Sequence, residues 1–141
     1  MQSLERLKPL ALLLLRLALA VIFIYHGYPK LFGNVHQAIE GFQSNGFPAY
    51  FAYVAGIVEV FGGALLVLGL FTRVAGLLLA GEMLIAVLKV HLPQGPITHV
   101  KNYEFPMVLA AAAFAVAALG AGLISLDHAI YREGGPRKRK E

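Results

Sequence analysis

Residues 50–92 read YFAYVAGIVEVFGGALLVLGLFTRVAGLLLAGEMLIAVLKVHL. Within this stretch only Glu59, Arg73, Glu82 and Lys89 are acidic or basic apart from the terminal His91. The apolar residues fall into two runs of about 20, the length a helix needs to cross the hydrocarbon core of a bilayer. Phe71, Thr72 and Arg73 alone join the runs, so the sequence predicts an antiparallel hairpin of two spanning helices. Gly69 sits where a glycine C-cap closes the first of them.

Working outward, a third apolar run covers about 9–32 and a fourth about 104–124. Pro9 and Pro106 fall in the first turns of these segments, where a missing N–H costs nothing. The expected fold is an all-α membrane protein: a four-transmembrane-helix antiparallel bundle with spans at about 9–32, 50–70, 72–92 and 104–124. Residues 1–129 form its single domain. Residues 130–141 form a polar, basic tail whose composition predicts disorder.

Composition agrees. Of 141 residues, 58% are hydrophobic and 14% charged, where a soluble domain carries roughly a quarter charged residues. The formal net charge is +4, but the basic residues cluster at the ends of the apolar runs and in the tail. No basic stripe is interleaved with aromatics, which argues against a nucleic-acid partner and for the lipid bilayer. The chain has no cysteine, so disulfide exchange, thiolate catalysis and cysteine-held iron–sulfur clusters are excluded. Arg6 and Lys8 before a leucine run imitate a signal peptide. The run continues well past signal-peptide length and contains Arg16, which predicts a retained first helix.

Orientation follows from the distribution of lysine and arginine. An even number of spans puts Arg6, Lys8, Arg73, Arg132, Arg137, Lys138, Arg139 and Lys140 on one side. Lys30 and Lys101 are left on the other, with Lys89 near its boundary. Both termini are therefore expected in the cytoplasm, and the protein in a prokaryotic cytoplasmic (inner) membrane. In the first outer loop Val35, Ala38, Ile39 and Phe42 recur at helical spacing opposite His36, Gln37, Glu40 and Gln43. That pattern predicts a short amphipathic helix lying on the outer surface.

Arg16, Glu59, Glu82 and Lys89 lie inside the predicted spans, where each costs at least a few kcal/mol if it meets lipid. Glu59 lies about 13 Å from the outer end of its helix, and Glu82 a similar distance from Arg73 on the antiparallel neighbour. The two carboxyl groups thus reach one depth. Ala52, Ala55, Gly56, Gly62 and Gly63 share the face of Glu59, a small-residue stripe that admits a neighbouring backbone. Ala75, Leu78, Ala86 and Lys89 share that of Glu82. Arg16, Phe23, His26 and Lys30 share a face of the first helix. A polar central seam is expected, either as mutual neutralisation that fixes helix register or as a ligand pocket or proton path. Haem or metal ligation by His26 and His91 is a weaker alternative, because a regular helix puts His91 about opposite Glu82 and Lys89.

The same residues carry a family resemblance. Arg16, the run His26-Gly27-Tyr28-Pro29-Lys30-Leu31, Gly46-Phe47-Pro48, Glu59 and Gly62-Gly63 open it. Gly69-Leu70-Phe71-Thr72-Arg73, Glu82-Met83, His91, Asn102-Tyr103-Glu104, Gly120-Ala121-Gly122 and Ser125-Leu126-Asp127 complete it. In this order and spacing the chain resembles the DoxX family of small bacterial and archaeal membrane proteins. The resemblance implies a four-helix membrane bundle. It also implies kinship with a terminal quinol oxidase and a thiosulfate:quinone oxidoreductase system, or with partners of detoxifying enzymes.

Three functions follow as expectations. The first is a redox-linked subunit or oxidoreductase component that binds a quinone-like lipophilic molecule in the bundle. In that reading Glu59 and Glu82 are the catalytic, proton-handling groups, and His26, Lys30, Arg16 and Lys89 hold the cofactor, with no metal. Its partner is a redox enzyme or a further copy of the chain. The second is a non-catalytic scaffold or accessory subunit that recruits a partner enzyme through the basic tail and the Ala-rich fourth helix. The third, ranked last, is a small carrier or channel, for which no inverted repeat is visible.

Overall fold

The computed structural model describes residues 2–132, and the basic cluster from Arg137 to Lys140 lies outside the described residues. The described chain is helical, with no strand. After a four-residue turn α1 (Gln2–Glu5), helix α2 runs over Lys8–Phe32, α3 over Val35–Ser44 and α4 over Tyr50–Leu68. Helix α5 (Thr72–Ile85) passes into a π-helical stretch, Ala86–His91, and a 3-10 turn, Leu92–Gln94. Helices α6 (Glu104–Leu119) and α7 (Leu126–Arg132) follow.

Three helices are long and apolar enough to cross a membrane: Lys8–Phe32, Tyr50–Leu68 and the continuous rod Thr72–Gln94. Helix α6 is apolar but has 16 residues, about 24 Å of rise against a hydrocarbon core of about 30 Å. The apolar run predicts a span to residue 124, whereas the helix stops at Leu119. Gly120 (φ 83°) and Gly122 (φ 78°) adopt positive φ and break it, a conformation open to glycine at little cost. Arg73 seals the break, its Nη1 donating to the carbonyls of Ala117 (2.9 Å) and Ala118 (2.6 Å).

The interior is made where the four long helices meet. Leu19, Ala20 and Phe23 of α2, Leu66 of α4, Ala75, Leu79 and Ala80 of α5, and Leu109, Ala113 and Val116 of α6 are buried together. Large apolar residues such as Leu14, Val21, Phe61, Leu77, Val108 and Phe114 point outward instead. An apolar exterior around a small-residue interior suits a lipid solvent, since lipid tails give packing no hydrophobic drive and small residues let backbones approach. Helix α2 packs chiefly on α4, and α5 chiefly on α6. Gly27 is a point of close approach of the first pair: a Cβ there would lie 2.7 Å from the Cβ of Glu59.

Helix α3 turns Val35, Ala38, Ile39 and Phe42 inward and leaves His36, Gln37, Glu40 and Gln43 exposed. Phe42 meets Phe47, and Phe47 meets Phe51 at the start of α4, with ring centroids 6.0 and 5.4 Å apart.

At the opposite end, the tight link between α4 and α5 rests on two left-handed residues and on two hydrogen bonds to Asp127. Gly69 closes α4 in the left-handed conformation (φ 65°, ψ 38°). Phe71, without a glycine's freedom, is also left-handed (φ 47°). The Asp127 carboxylate of α7 holds it there, accepting from the N–H of Phe71 (2.8 Å) and of Thr72 (2.9 Å). An acidic group at this point also meets the positive end of the α5 dipole.

Candidate functional site

The intramembrane charges do not form one continuous seam; they divide into two groups. Arg16 is 1% exposed and belongs to the Arg73 end. Its Nε donates to the Leu66 carbonyl (3.1 Å), and its Nη1 to the carbonyls of Ala121 and Ile124 (3.0 Å to the latter). These carbonyls belong to the last turn of α4 and to the irregular chain after α6, which lack intrahelical partners. Along α2, Arg16 is about 21 Å from Lys30. The structure therefore sets Arg16 apart from the carboxyl groups of the expected polar seam, because orphaned backbone carbonyls satisfy its guanidinium.

The second group lies toward the α3 end. Lys30 of α2 and Glu59 of α4 form an ion pair whose side chains are 20% and 3% exposed. Gly27, one turn before Lys30, lets the backbone of α2 come down onto Glu59, and the small-residue stripe of α4 faces the same contact. Glu82 of α5 is half-buried and feels the charges of both Glu59 and Lys30. Its Oε2 is buried with no hydrogen-bond partner among the described residues. Two carboxyl groups and one ammonium thus share a single low-dielectric locus.

Beside this locus is a cavity of about 230 Å³. Lys30, Glu59, His26 and His91 supply its polar wall; Ile22, Phe23, Met83, Phe105, Pro106 and Leu109 supply most of the rest. His26 is exposed, its ring against Tyr25 (centroids 5.5 Å apart) and Phe105 (5.7 Å). The elements α2, α4, α5 with its π stretch, and α6 each contribute, so the cavity exists only in the assembled bundle.

His91 is the residue that helical periodicity misplaced. A regular helix sets it about opposite Glu82, but a π turn inserts an extra residue and rotates everything beyond it by about 100°. The Ala86–His91 stretch has this geometry. It brings His91 into the cavity wall and leaves Lys89 exposed. The expected shared face of Glu82 and Lys89 is lost for the same reason. One signal in the sequence pointed this way: Pro93 has no N–H to give the Lys89 carbonyl, so the regular ladder cannot continue there. Phe105 and Pro106, which close the cavity from α6, carried no polar signal.

The DoxX family model matches residues 11–92, a span that holds Arg16, His26, Lys30, Glu59, Glu82 and His91. The Bacillus subtilis protein named "Putative oxidoreductase CatD" is 34% identical over 120 residues, covering 85% of this chain and 87% of its own length. "Inner membrane protein YphA" of Escherichia coli is 33% identical over 129 residues, 85% of this chain and 90% of its own. An uncharacterized Haemophilus influenzae protein is 38% identical over 91 residues, 64% of this chain and 66% of its own. No solved structure matches the chain.

Proposed function

The chain belongs to the DoxX family of membrane proteins, and we propose that it is a redox-linked component of the inner membrane whose cavity holds the head group of a quinone-like lipophilic molecule. Helices α2, α4 and the rod continuing α5 span the bilayer, and α6 completes an antiparallel four-helix bundle as a short fourth span. The Arg73 end, with Arg6 and Lys8, faces the cytoplasm by the positive-inside rule. Helix α3 then lies on the outer surface, its apolar side toward lipid and bundle.

The observation that carries the reading is the cavity itself. Ligand sites are mostly apolar with a few convergent polar groups, and drug-sized ones occupy about 300–1,000 Å³. At about 230 Å³ this one suits a single substituted ring, with the lipophilic tail left in the bilayer. In this reading Lys30 and His26, both in the cavity wall, hydrogen-bond a ring oxygen. Glu59 lines the same wall, and Glu82 on α5 has one buried carboxyl oxygen with no hydrogen-bond partner among the described residues. Interconversion of quinone and hydroquinone moves two electrons and two protons. These acids would handle protons, while a partner redox enzyme would exchange the electrons, since the chain has no cysteine of its own.

The relative named as an oxidoreductase and the relative named as an inner membrane protein support this assignment. Native mass spectrometry of protein extracted in mild detergent tests it. A bound quinone is expected, and Glu59→Gln is expected to lower quinone-dependent turnover about 100-fold, the usual effect of losing a positioned acid or base. Absence of any bound quinone, together with unchanged turnover in the variant, would refute it.

A further inference from the structure

We infer that His91 makes this cavity selective for a ring bearing a hydroxyl group, and so for the reduced, hydroquinone form of its ligand; the inference rests on the ring-site reading above. His91 reaches the cavity through the π turn, and its Nδ1 lies 2.8 Å from the carbonyl oxygen of Ala86, five residues earlier. A carbonyl oxygen only accepts, so Nδ1 carries the hydrogen. The other ring nitrogen of neutral His91, Nε2, is then a hydrogen-bond acceptor. The same bond fixes the ring, so the acceptor is held in place before a ligand arrives.

The remaining polar wall sharpens the argument. Lys30 donates, but its charge is already committed to Glu59, whose carboxylate only accepts. A quinone ring offers acceptors alone. It can accept from Lys30 or from the ring N–H of His26, the other donors of the wall, but has no hydrogen of its own to give Nε2 of His91. A hydroquinone offers two O–H groups, each able to donate to one wall and accept from another. One satisfies Nε2 of His91 while the other meets the Lys30–Glu59 pair. A site built to hydrogen-bond a ligand hydroxyl discriminates against the analogue that lacks it, because its own polar group is then left unpaired. Glu82 is not among the residues that line the cavity, so it does not supply this contact.

The test measures binding of three probes to the full chain in lipid nanodiscs under anaerobic conditions: tetramethyl-1,4-benzoquinone, its hydroquinone, and the dimethyl ether of that hydroquinone. The hydroquinone is expected to bind at least about tenfold more tightly than the quinone or the ether. His91→Leu is expected to bring the three probes within about twofold of one another, and His91→Gln, which keeps an acceptor, to retain most of the preference. The ether needs no variant, so the comparison stands even if His91→Leu does not fold. Equal binding of quinone and hydroquinone would overturn the inference while leaving the ring site intact, as would a preference that survives His91→Leu. Binding of none of the probes would overturn both.

Discussion

Lys30 and Glu59 sit on different helices and form an ion pair in which the carboxylate is almost wholly removed from solvent. The pair joins α2 to α4 at the level of the cavity, so it is at once an element of the bundle's assembly and part of a polar wall. Its energetics are asymmetric. Removing one partner of a buried pair strands the other charge, which typically costs about 3–5 kcal/mol, whereas replacing both by neutral groups is often nearly neutral.

Lys30→Met is therefore expected to destabilise the bundle by about 3 kcal/mol or more. The double variant Lys30→Met with Glu59→Gln is expected to recover most of that loss. Denaturant titration of the purified protein in detergent micelles measures both, and a double variant no more stable than Lys30→Met would contradict the pairing.

Arg16 makes a separate prediction. Its guanidinium bonds three backbone carbonyls at the Arg73 end, and losing it leaves buried acceptors unpaired at about 1–3 kcal/mol for each group fully deprived of a partner. Arg16→Met is expected to lower the unfolding midpoint while leaving ligand affinity at the distant cavity unchanged within about twofold. A large loss of affinity in a variant that retains its stability would place Arg16 in the ligand site instead.

The link between α4 and α5 stores strain that can be released. Phe71 occupies the left-handed region, a conformation costing of order 1–3 kcal/mol outside glycine. Phe71→Gly is expected to stabilise by about 1 kcal/mol, since the ring it removes is largely exposed. Asp127→Ala removes both acceptors that hold the turn and is expected to cost about 1–2 kcal/mol, as for loss of a helix cap. Thermal unfolding of the two variants would show shifts of opposite sign.

Gly27 is a test of the close α2–α4 approach. A side chain there meets the Cβ of Glu59 at 2.7 Å and the backbone nitrogen of Val60 at 3.0 Å, positions that cannot yield without separating the helices. Gly27→Val is expected to destabilise by several kcal/mol, above the roughly 1–3 kcal/mol of ordinary overpacking, and to abolish ligand binding with it. Wild-type stability in that variant would mean that the helices are not so closely opposed.

Much of this architecture is legible in the residues. The apolar runs, Pro9, Pro106, Gly69 and the three-residue link at Phe71 mark the helices and their ends. Depth arithmetic sets Glu59 and Glu82 at one level on α4 and α5, two helices that pack together. What periodicity does not reveal is departure from periodicity. The π turn at Ala86–His91 exchanges Lys89 for His91 at the cavity. The positive φ of Gly120 and Gly122 ends α6 early. Helix face groups Arg16 with Lys30, yet the contacts of Arg16 are set by height along the helix, where unpaired carbonyls await it. A helical wheel shows face and hides height.

Photoaffinity labelling with an azido-quinone, followed by peptide mass spectrometry, asks most directly whether a ring occupies the space between Lys30, Glu59 and His91. Labels are expected within residues 22–30, 83–91 and 105–109, the three segments that wall the cavity with Glu59, and an excess of unlabelled quinone should suppress them. Labels scattered over outward-facing positions such as Phe61, Leu77 and Phe114, undiminished by competitor, would contradict the proposed site.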